Sequence, residues 1–174
     1  MDTVRMHARN VRLMIFDVDG VLTDGHLYYT DAGDELKAFS SLDGHGIKML
    51  MASGVDTAIL TGRTSGIVTH RAGNLGIHHV LQGVEDKRAA FRKLAADLNL
   101  SPANCGYMGD DVVDLPVLTR CGFSATTLEA PEIVRRRVHF VATQPAGGGA
   151  AREVCELLMQ AQGTYEAALA PYLA

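Results

Sequence analysis

The chain has 174 residues, of which 47% are hydrophobic and 21% are charged, and its formal net charge is −4. This length suits one globular domain with a full hydrophobic core, and the acidic balance gives no reason to expect a nucleic-acid partner, since such proteins usually carry a basic surface. Neither a signal peptide nor a run of about 20 apolar residues is present, so we expect no membrane contact and a cytoplasmic protein.

The chain contains three cysteines, Cys105, Cys121 and Cys155, and no CxxC pair. Their odd number and their spacing argue against a disulfide framework or a structural zinc site. We therefore predict that they are small, buried, reduced side chains.

Strand and helix patterns alternate along the sequence. Short apolar runs predict buried strands at 12–16, 56–61, 77–82, 104–110, 122–127 and 139–143. Helical patterns lie between and after them, at 43–54, 65–76, 85–100, 111–121, 131–137 and 149–162. This order predicts an α/β fold, a Rossmann-like parallel sheet with helices on both faces, forming one domain over residues 1–174.

One segment, at about 25–40, departs from this alternation. Two short strand patterns, "HLYYT" and "ELKAFS", flank a turn that contains Gly33, which predicts a projecting β-hairpin. The hairpin carries a large apolar load for a two-stranded ribbon, and such ribbons are marginally stable alone. We expect it to pack against copies of itself as an oligomerisation element; the alternative is that it folds back onto its own domain.

Polar clusters follow four of the predicted strands. Asp17 and Asp19 follow the first, Thr61-Gly62-Arg63 the second, Lys87 comes shortly after the third, and Gly109-Asp110-Asp111 follows the fourth. Because ligands bind at the carboxyl ends of parallel strands, these clusters are expected to meet at one edge of the sheet.

The two aspartates after the first strand suit phosphoryl chemistry. Asp17 is the candidate nucleophile that forms an aspartyl-phosphate. Asp19 is the candidate general acid and base, which protonates the leaving alcohol and later takes a proton from water. The alternative for an isolated aspartate at this point is that it only caps the loop.

Several carboxylates at one point require a counter-charge. Asp110 and Asp17 offer the hard oxygen ligands that Mg²⁺ prefers, together with the Val18 carbonyl, and Asp19 is included in this ligand set. Asp111 and Asp114 are expected to support the metal through a second shell of contacts, or else to be helix-start charges. Thr61 and Gly62 form a candidate phosphate site with Lys87.

With these four clusters placed, the sequence resembles the haloacid dehalogenase superfamily of phosphohydrolases. "FDVDGVLTDG", "ILTGR", Lys87 and "GDDVVD" match its four motifs in order. Further segments, "DGHGIK", "HRAGNLGI", "LQGVEDK" and "AREVCELLMQAQG", resemble the family of 3-deoxy-D-manno-octulosonate 8-phosphate phosphatases, which release phosphate from an eight-carbon sugar acid used in lipopolysaccharide synthesis.

The resemblance implies a Mg²⁺-dependent phosphatase, a homotetramer and a sugar-acid phosphate as substrate. It also implies that the substrate is contacted by Ser40, Ser41, Leu42, Asp43, Gly44, Lys48, Arg63, Arg71 and Lys87. Positive side chains suit a substrate that carries both a carboxylate and a phosphate. Members of the superfamily often insert a cap domain after the first or second motif, but the short segments that follow Asp19 and Thr61 leave no room for one, so a capless fold is expected.

Other functions remain open from the sequence. The same chemistry would serve a nine-carbon ulosonate phosphate, and transfer of the phosphoryl group to another sugar is a third enzymatic possibility. A non-enzymatic phosphoacceptor module would use an aspartate, a threonine, a lysine and a metal on a similar sheet, but it has no need of a proton donor at Asp19. A purely scaffolding role would leave the four clusters unexplained.

Overall fold

The computed structural model describes residues 2–173. Its strands are β1 (Leu13–Phe16), β2 (Tyr28–Tyr29), β3 (Glu35–Leu36), β4 (Asp56–Leu60), β5 (His79–Leu81), β6 (Cys105–Met108), β7 (Phe123–Thr126) and β8 (Phe140–Val141). Its helices are α1 (Asp2–Ala8), α2 (Ser41–Ala52), α3 (Gly66–Leu75), α4 (Lys87–Asp97), α5 (Leu115–Leu118), α6 (Glu132–Arg135), α7 (Ala150–Gln162) and α8 (Tyr165–Leu173). Among these residues, none of the helices has both the length and the apolarity that a bilayer crossing requires.

Six strands form one parallel sheet in the order β5-β4-β1-β6-β7-β8. The central strand β1 is buried on both faces, and its side chains alternate between them as strand geometry requires. Leu13 and Ile15 pack into one apolar cluster with α4 and α5, whereas Met14 and Phe16 pack into another with α2 and α7. The predicted α/β sheet with helices on both faces is therefore confirmed.

The register of the central strands brings their carboxyl ends together. Phe16, the last residue of β1, lies opposite Ile59 of β4 and Met108 of β6. The chain continues from β1 directly into Asp17, whose backbone N–H donates to the Met108 carbonyl at 2.9 Å. The polar segments that follow these three strands consequently share one edge of the sheet.

The predicted hairpin is present as a separate antiparallel pair, in which Tyr28 lies opposite Leu36. The Gly33 N–H donates to the Thr30 carbonyl across the turn, and Gly33 adopts a φ of +87°, which an L side chain rarely tolerates. Tyr28, Tyr29 and Leu36 all have between 44% and 58% of their surface exposed. The hairpin therefore projects with an apolar surface that residues 2–173 leave exposed.

The structure differs from the sequence-based expectation at four helices. The predicted helix 111–121 is replaced by a 3₁₀ turn at Val112–Asp114 and the short α5. Neither α1 nor α8 was expected, since the sequence near each end lacks a strong helical period. Helix α2 begins at Ser41 rather than Asp43, because the Ser40 hydroxyl caps it by accepting hydrogen bonds from two backbone N–H groups of its first turn. The three cysteines are buried free thiols, as predicted, and burial raises the pKa of Cys121 to about 12.

Candidate active site

An open cleft of about 270 Å³ lies at the carboxyl ends of β1, β4 and β6. It is lined by Asp17, Asp19, Thr61, Gly62, Arg63, Val84, Glu85, Lys87, Asp110, Asp111 and Val113. All four polar clusters of the sequence contribute side chains to it, as parallel strands with a common exit edge predict.

Asp17 occupies the floor of this cleft, where only 7% of its surface is exposed. Its two carboxylate oxygens have different partners. Oδ1 accepts a hydrogen bond from the Val18 N–H at 2.7 Å, and Oδ2 accepts one from Lys87 Nζ at 2.6 Å. Burial, followed by the charge of Asp114, raises the pKa of Asp17 to about 6 despite the opposing effect of Lys87. The carboxylate is thus oriented at both oxygens.

Lys87 is the first residue of α4, where the helix dipole disfavours a cation. The structure explains its position, because its ammonium lies 2.6 Å from both Asp17 Oδ2 and Asp114 Oδ1. Burial alone would lower the pKa of Lys87, but these two carboxylates raise it above its usual value. The group therefore remains a fixed positive charge at the cleft.

Asp114 is completely buried, and its carboxylate links Lys87, Tyr107 and the backbone of the loop after β6. Its Oδ1 accepts hydrogen bonds from Lys87 and from the Tyr107 hydroxyl at 2.6 Å. Its Oδ2 accepts from the backbone N–H groups of Asp110 and Asp111 at 3.0 and 3.1 Å. Tyr107 was not predicted from the sequence, where it is one residue of an apolar strand.

Asp110 provides the second carboxylate of a candidate metal centre. Ligand oxygens of Asp17, Asp110 and Asp114 all lie within 4.8 Å of one another. Burial and then the neighbouring charge of Asp17 raise the pKa of Asp110 to about 7, which indicates a site short of positive charge. Because Asp114 is already occupied by its four donors, Asp17 and Asp110 are the carboxylates left to bind an ion.

Gly20 makes room for this arrangement. A Cβ atom built on Gly20 would lie 2.1 Å from Asp110 Oδ2, and its φ of +84° also disfavours any other residue. The glycine of the DxDG sequence therefore allows the backbone at Gly20 to lie close to the Asp110 carboxylate.

The carbonyl predicted to complete the metal site requires a correction. The Val18 carbonyl accepts hydrogen bonds from the N–H groups of Val21, Leu22 and Thr23 at 2.9 to 3.2 Å. Its lone pairs are therefore directed into the tight turn that follows β1 and not into the cleft. Within residues 2–173, no backbone hydrogen bond uses the Asp19 carbonyl, so Asp19 is the better candidate for the backbone ligand.

Asp111 has a local structural role. It precedes the 3₁₀ turn Val112–Asp114, and its exposed side chain caps that turn by accepting the Val112 N–H at 2.7 Å. Asp111 lines the cleft, and the negative charge of its side chain contributes to the raised pKa of Asp110. The helix-start alternative thus describes Asp111 well, whereas Asp114 has the supporting role.

Asp19 lies beside Asp17 with 20% of its side chain exposed. Its Oδ1 accepts a hydrogen bond from Lys37, and its Oδ2 lies 3.7 Å from Arg63 Nε. Lys37 was missed in the sequence analysis, although its position two residues after Glu35 in a strand pattern places both on one face of the hairpin.

Thr61 and Gly62 leave β4 at the rim of the cleft. The Thr61 backbone is fixed on both sides, since its N–H donates to the Leu81 carbonyl and its carbonyl accepts from Val84. No backbone hydrogen bond within residues 2–173 uses the Gly62 N–H. The threonine hydroxyl and this N–H are therefore placed to receive an anion.

The remaining predicted substrate residues lie apart from this cleft. Ser41, Gly44, Lys48 and Arg71 line a shallow hollow of about 230 Å³, and Ser40 and Asp43 line a narrow neighbouring one with Arg71 and Gly44. Leu42 is 60% exposed beside them. Within one chain, the structure does not bring this second group to Asp17.

Two members of the second group have structural partners. Arg71 donates to the Ser40 carbonyl at 2.9 Å, and a Cβ on Gly44 would lie 2.3 Å from the Arg71 guanidinium, so Gly44 permits this approach. The buried Asp43 carboxylate accepts hydrogen bonds from the N–H groups of Gly149, which precedes α7, and of Arg152 in the first turn of α7. The predicted substrate contact of Asp43 is therefore not available to its side chain, which caps a helix.

The sequence of the whole chain is similar to those of known phosphatases. No protein-family model matches the chain. A 3-deoxy-D-manno-octulosonate 8-phosphate phosphatase from Yersinia pestis is 43% identical over 167 residues, covering 96% of this chain and 89% of the relative.

Solved structures of phosphatases are also similar to this chain. A probable YrbI family phosphatase from Pseudomonas syringae matches with a TM-score of 0.99 and 48% identity, covering 100% of this chain and 99% of the other. The 3-deoxy-D-manno-octulosonate 8-phosphate phosphatase of Moraxella catarrhalis, solved with a magnesium ion, a phosphate ion and a KDO molecule, matches with a TM-score of 0.97 and 39% identity, covering 99% of each chain.

Proposed function

Because the chain belongs to the 3-deoxy-D-manno-octulosonate 8-phosphate phosphatase family of the haloacid dehalogenase superfamily, we propose that it is a Mg²⁺-dependent phosphatase that hydrolyses this sugar-acid phosphate. The products are 3-deoxy-D-manno-octulosonate and inorganic phosphate. The observation that supports the proposal best is the meeting of Asp17, Asp19, Lys87 and Asp110 in one cleft.

Asp17 is the nucleophile in this mechanism. Lys87 and the Val18 N–H orient its carboxylate, one oxygen of which forms a bond to phosphorus while the bond from phosphorus to the sugar oxygen breaks. The Lys87 ammonium, the Thr61 hydroxyl and the Gly62 N–H bind the phosphoryl oxygens and stabilise their charge in the transition state.

Asp19 transfers the protons. It gives a proton to the departing sugar oxygen and, in the second step, accepts one from the water that hydrolyses the aspartyl-phosphate. Hydrolysis restores the Asp17 carboxylate and releases inorganic phosphate. A phosphoacceptor module would stop after the first step, and Asp19 provides what the second step needs.

The donor set of the cleft fits Mg²⁺. Carboxylates of Asp17 and Asp110 and the Asp19 carbonyl are hard oxygen ligands, and the raised pKa of Asp110 reflects carboxylate repulsion that a divalent cation relieves. When bound, Mg²⁺ lowers the repulsion between the attacking carboxylate and the phosphate and withdraws charge from a phosphoryl oxygen. Asp114 fixes the backbone at Asp110 and does not need to contact the ion.

We also propose that the chain works as a homotetramer built around the hairpin. The exposed apolar side chains Tyr28, Tyr29 and Leu36 support this assembly, since two-stranded ribbons are only marginally stable alone. The location of Lys48 and Arg71 outside the cleft is a second support, because in an assembly these cations can reach the sugar acid bound at a neighbouring subunit. Arg63 reaches it from the same chain.

The cytoplasm is the proposed location. Three buried cysteine thiols with no disulfide suit a reducing compartment. The substrate proposal needs no membrane or nucleic-acid contact.

A substrate panel tests the function. The purified protein with Mg²⁺ is assayed for phosphate release from 3-deoxy-D-manno-octulosonate 8-phosphate, from a nine-carbon ulosonate 9-phosphate and from glucose 6-phosphate. We expect the highest kcat/KM on the eight-carbon substrate, with no turnover by the Asp17→Asn control. Preference for the nine-carbon acid would transfer the assignment to that substrate, and a stable phosphoprotein without turnover would replace it with a phosphoacceptor role.

A further inference from the structure

Lys37 of the hairpin is buried against the catalytic centre. It follows β3, and although the adjacent Leu36 is 58% exposed, only 2% of the Lys37 side chain is accessible. Its ammonium contacts Asp19 Oδ1 and lies 3.3 Å from Glu35 Oε1. Burying an ammonium group is costly unless it is paired, so the two carboxylates account for the position of this lysine.

Lys37 belongs to a closed ring of alternating charges. Arg63 Nη2 lies 2.8 Å from Glu35 Oε1, and Arg63 Nε lies 3.7 Å from Asp19 Oδ2. Glu35 thus shares its charge between Lys37 and Arg63, and Asp19 lies opposite it between the same two cations. Two members of this ring, Glu35 and Lys37, come from the hairpin, and Tyr29 of the hairpin also accepts a hydrogen bond from Arg63 at 2.9 Å.

The two oxygens of Asp19 are not equivalent in this ring. Oδ1 accepts the hydrogen bond from Lys37. Oδ2 is too far from Arg63 Nε for a hydrogen bond, and no hydrogen bond within residues 2–173 uses it. Asp19 and Arg63 line the cleft, whereas Lys37 does not. Lys37 therefore holds one oxygen of Asp19, and the other oxygen, which no hydrogen bond among residues 2–173 uses, is free for proton transfer.

We propose that Lys37 is a positioning residue, which fixes the Asp19 carboxylate so that Oδ2 faces the leaving oxygen of the substrate. This inference rests on the proposed function, and it gives the hairpin a part in the chemistry besides assembly. General acid catalysis requires the donor within hydrogen-bond reach of the leaving atom, and an aspartate without its anchor exchanges between rotamers.

The leaving group of the substrate provides the test. A sugar alkoxide needs a proton from Asp19 as the bond to phosphorus breaks, whereas p-nitrophenolate is stable enough to leave without one. The value of kcat/KM includes only the steps up to release of the alcohol, so it excludes hydrolysis of the shared aspartyl-phosphate. A loss of Asp19 positioning therefore affects kcat/KM for the sugar phosphate more than for p-nitrophenyl phosphate.

The variants are Lys37→Met, which keeps the length of the side chain without its charge, and Lys93→Met as the control. Lys93 is exposed in α4, and its one ion pair among residues 2–173 is with Asp97. General acid catalysis contributes about 10²–10⁴-fold, so we expect Lys37→Met to lose at least about tenfold more kcat/KM on the sugar phosphate than on p-nitrophenyl phosphate. Lys93→Met is expected to match the unchanged protein on both substrates.

The outcomes separate the two proposals. An unchanged protein that hydrolyses neither substrate contradicts the proposed function. An active protein in which Lys37→Met loses activity equally on both substrates overturns only the role of Lys37, as does a rise in KM with kcat unchanged, which would make it a substrate-binding residue. If circular dichroism shows that Lys37→Met does not fold, Lys37→Gln, which removes the charge but keeps a polar side chain, is compared on the same two substrates with the same expected and contradicting results.

Discussion

Lys87 and Asp114 form a buried ion pair with a separation of 2.6 Å, and neither lies on β1, the central strand that leads into Asp17. Asp114 adds the Tyr107 hydroxyl and two backbone N–H groups to this pair. The pair therefore links the start of α4 to the loop after β6, and it fixes the cation that contacts Asp17.

Replacement of Asp114 is expected to damage both stability and catalysis. Asp114→Asn leaves Lys87 with one carboxylate and brings an amide N–H₂ group toward N–H donors, and breaking a buried ion pair typically costs about 3–5 kcal/mol. Urea unfolding would measure the loss in the free energy of unfolding, and steady-state kinetics the loss in kcat/KM.

The matched control is Asp97→Asn, which removes an exposed carboxylate from the ion pair with Lys93. Exposed pairs contribute about 0.2–1 kcal/mol. Equal effects of the two substitutions would contradict the supporting role of Asp114.

Substitutions of the two aspartates of the DxD motif are expected to impair different steps of the reaction. Asp17→Asn removes the attacking oxygen, so turnover falls by more than about 10³-fold and no phosphoenzyme forms. Asp19→Asn keeps the backbone carbonyl but loses the proton donor, so kcat falls by about 10²–10⁴-fold while Mg²⁺ binding persists. Rapid-quench kinetics and calorimetric Mg²⁺ titration distinguish them; near-normal hydrolysis by either variant would refute its assigned role.

Mg²⁺ binding is expected to depend on pH. In the metal-free protein the pKa of Asp110 is raised to about 7 and that of Asp17 to about 6, above their value of 3.8 in an unstructured chain. Between these limits the folded state binds more protons than the unfolded state, so its stability falls as pH rises through the folded pKa values. Mg²⁺ replaces those protons, so its affinity rises over the same interval.

Thermal unfolding with and without Mg²⁺ checks this expectation. The increase in Tm on adding Mg²⁺ should be larger at pH about 8 than at pH about 5.5, and calorimetry in buffers of different ionisation enthalpy should detect proton release near pH about 6.5. An increase in Tm that is constant over this range would contradict the raised pKa values.

Assembly is expected to depend on the apolar surface of the hairpin. Leu36→Glu places a charge at a side chain that is 58% exposed in the single chain, and burying that charge at an interface would be costly. We expect a smaller particle by light scattering and a lower kcat. Leu128→Glu is the control, since Leu128 is 54% exposed and lies outside the hairpin; a monomeric unchanged protein would contradict the assembly itself.

Much of the site was predictable because the strand pattern limits where polar residues can go. The alternation of apolar runs and helices predicts a parallel sheet, and such sheets bring Asp17, Thr61 and Asp110 to one edge. Other features depend on contacts distant in sequence. The cap that Asp43 provides to α7 is of this kind. The Ser40 cap of α2 and the turn that occupies the Val18 carbonyl are local features, which the apolar pattern alone does not predict.

By itself, the sequence determined the sheet and the hairpin and singled out Asp17 as the candidate nucleophile, since these follow from short-range patterns and from residue types with few uses. Only the tertiary structure decided which charges pair. It placed Lys37 on Asp19, Asp114 on Lys87, and Arg71 away from the cleft. The physical reason is that an ion pair depends on a separation of a few ångströms between atoms 18 or more residues apart, and the packing of the whole chain sets that separation.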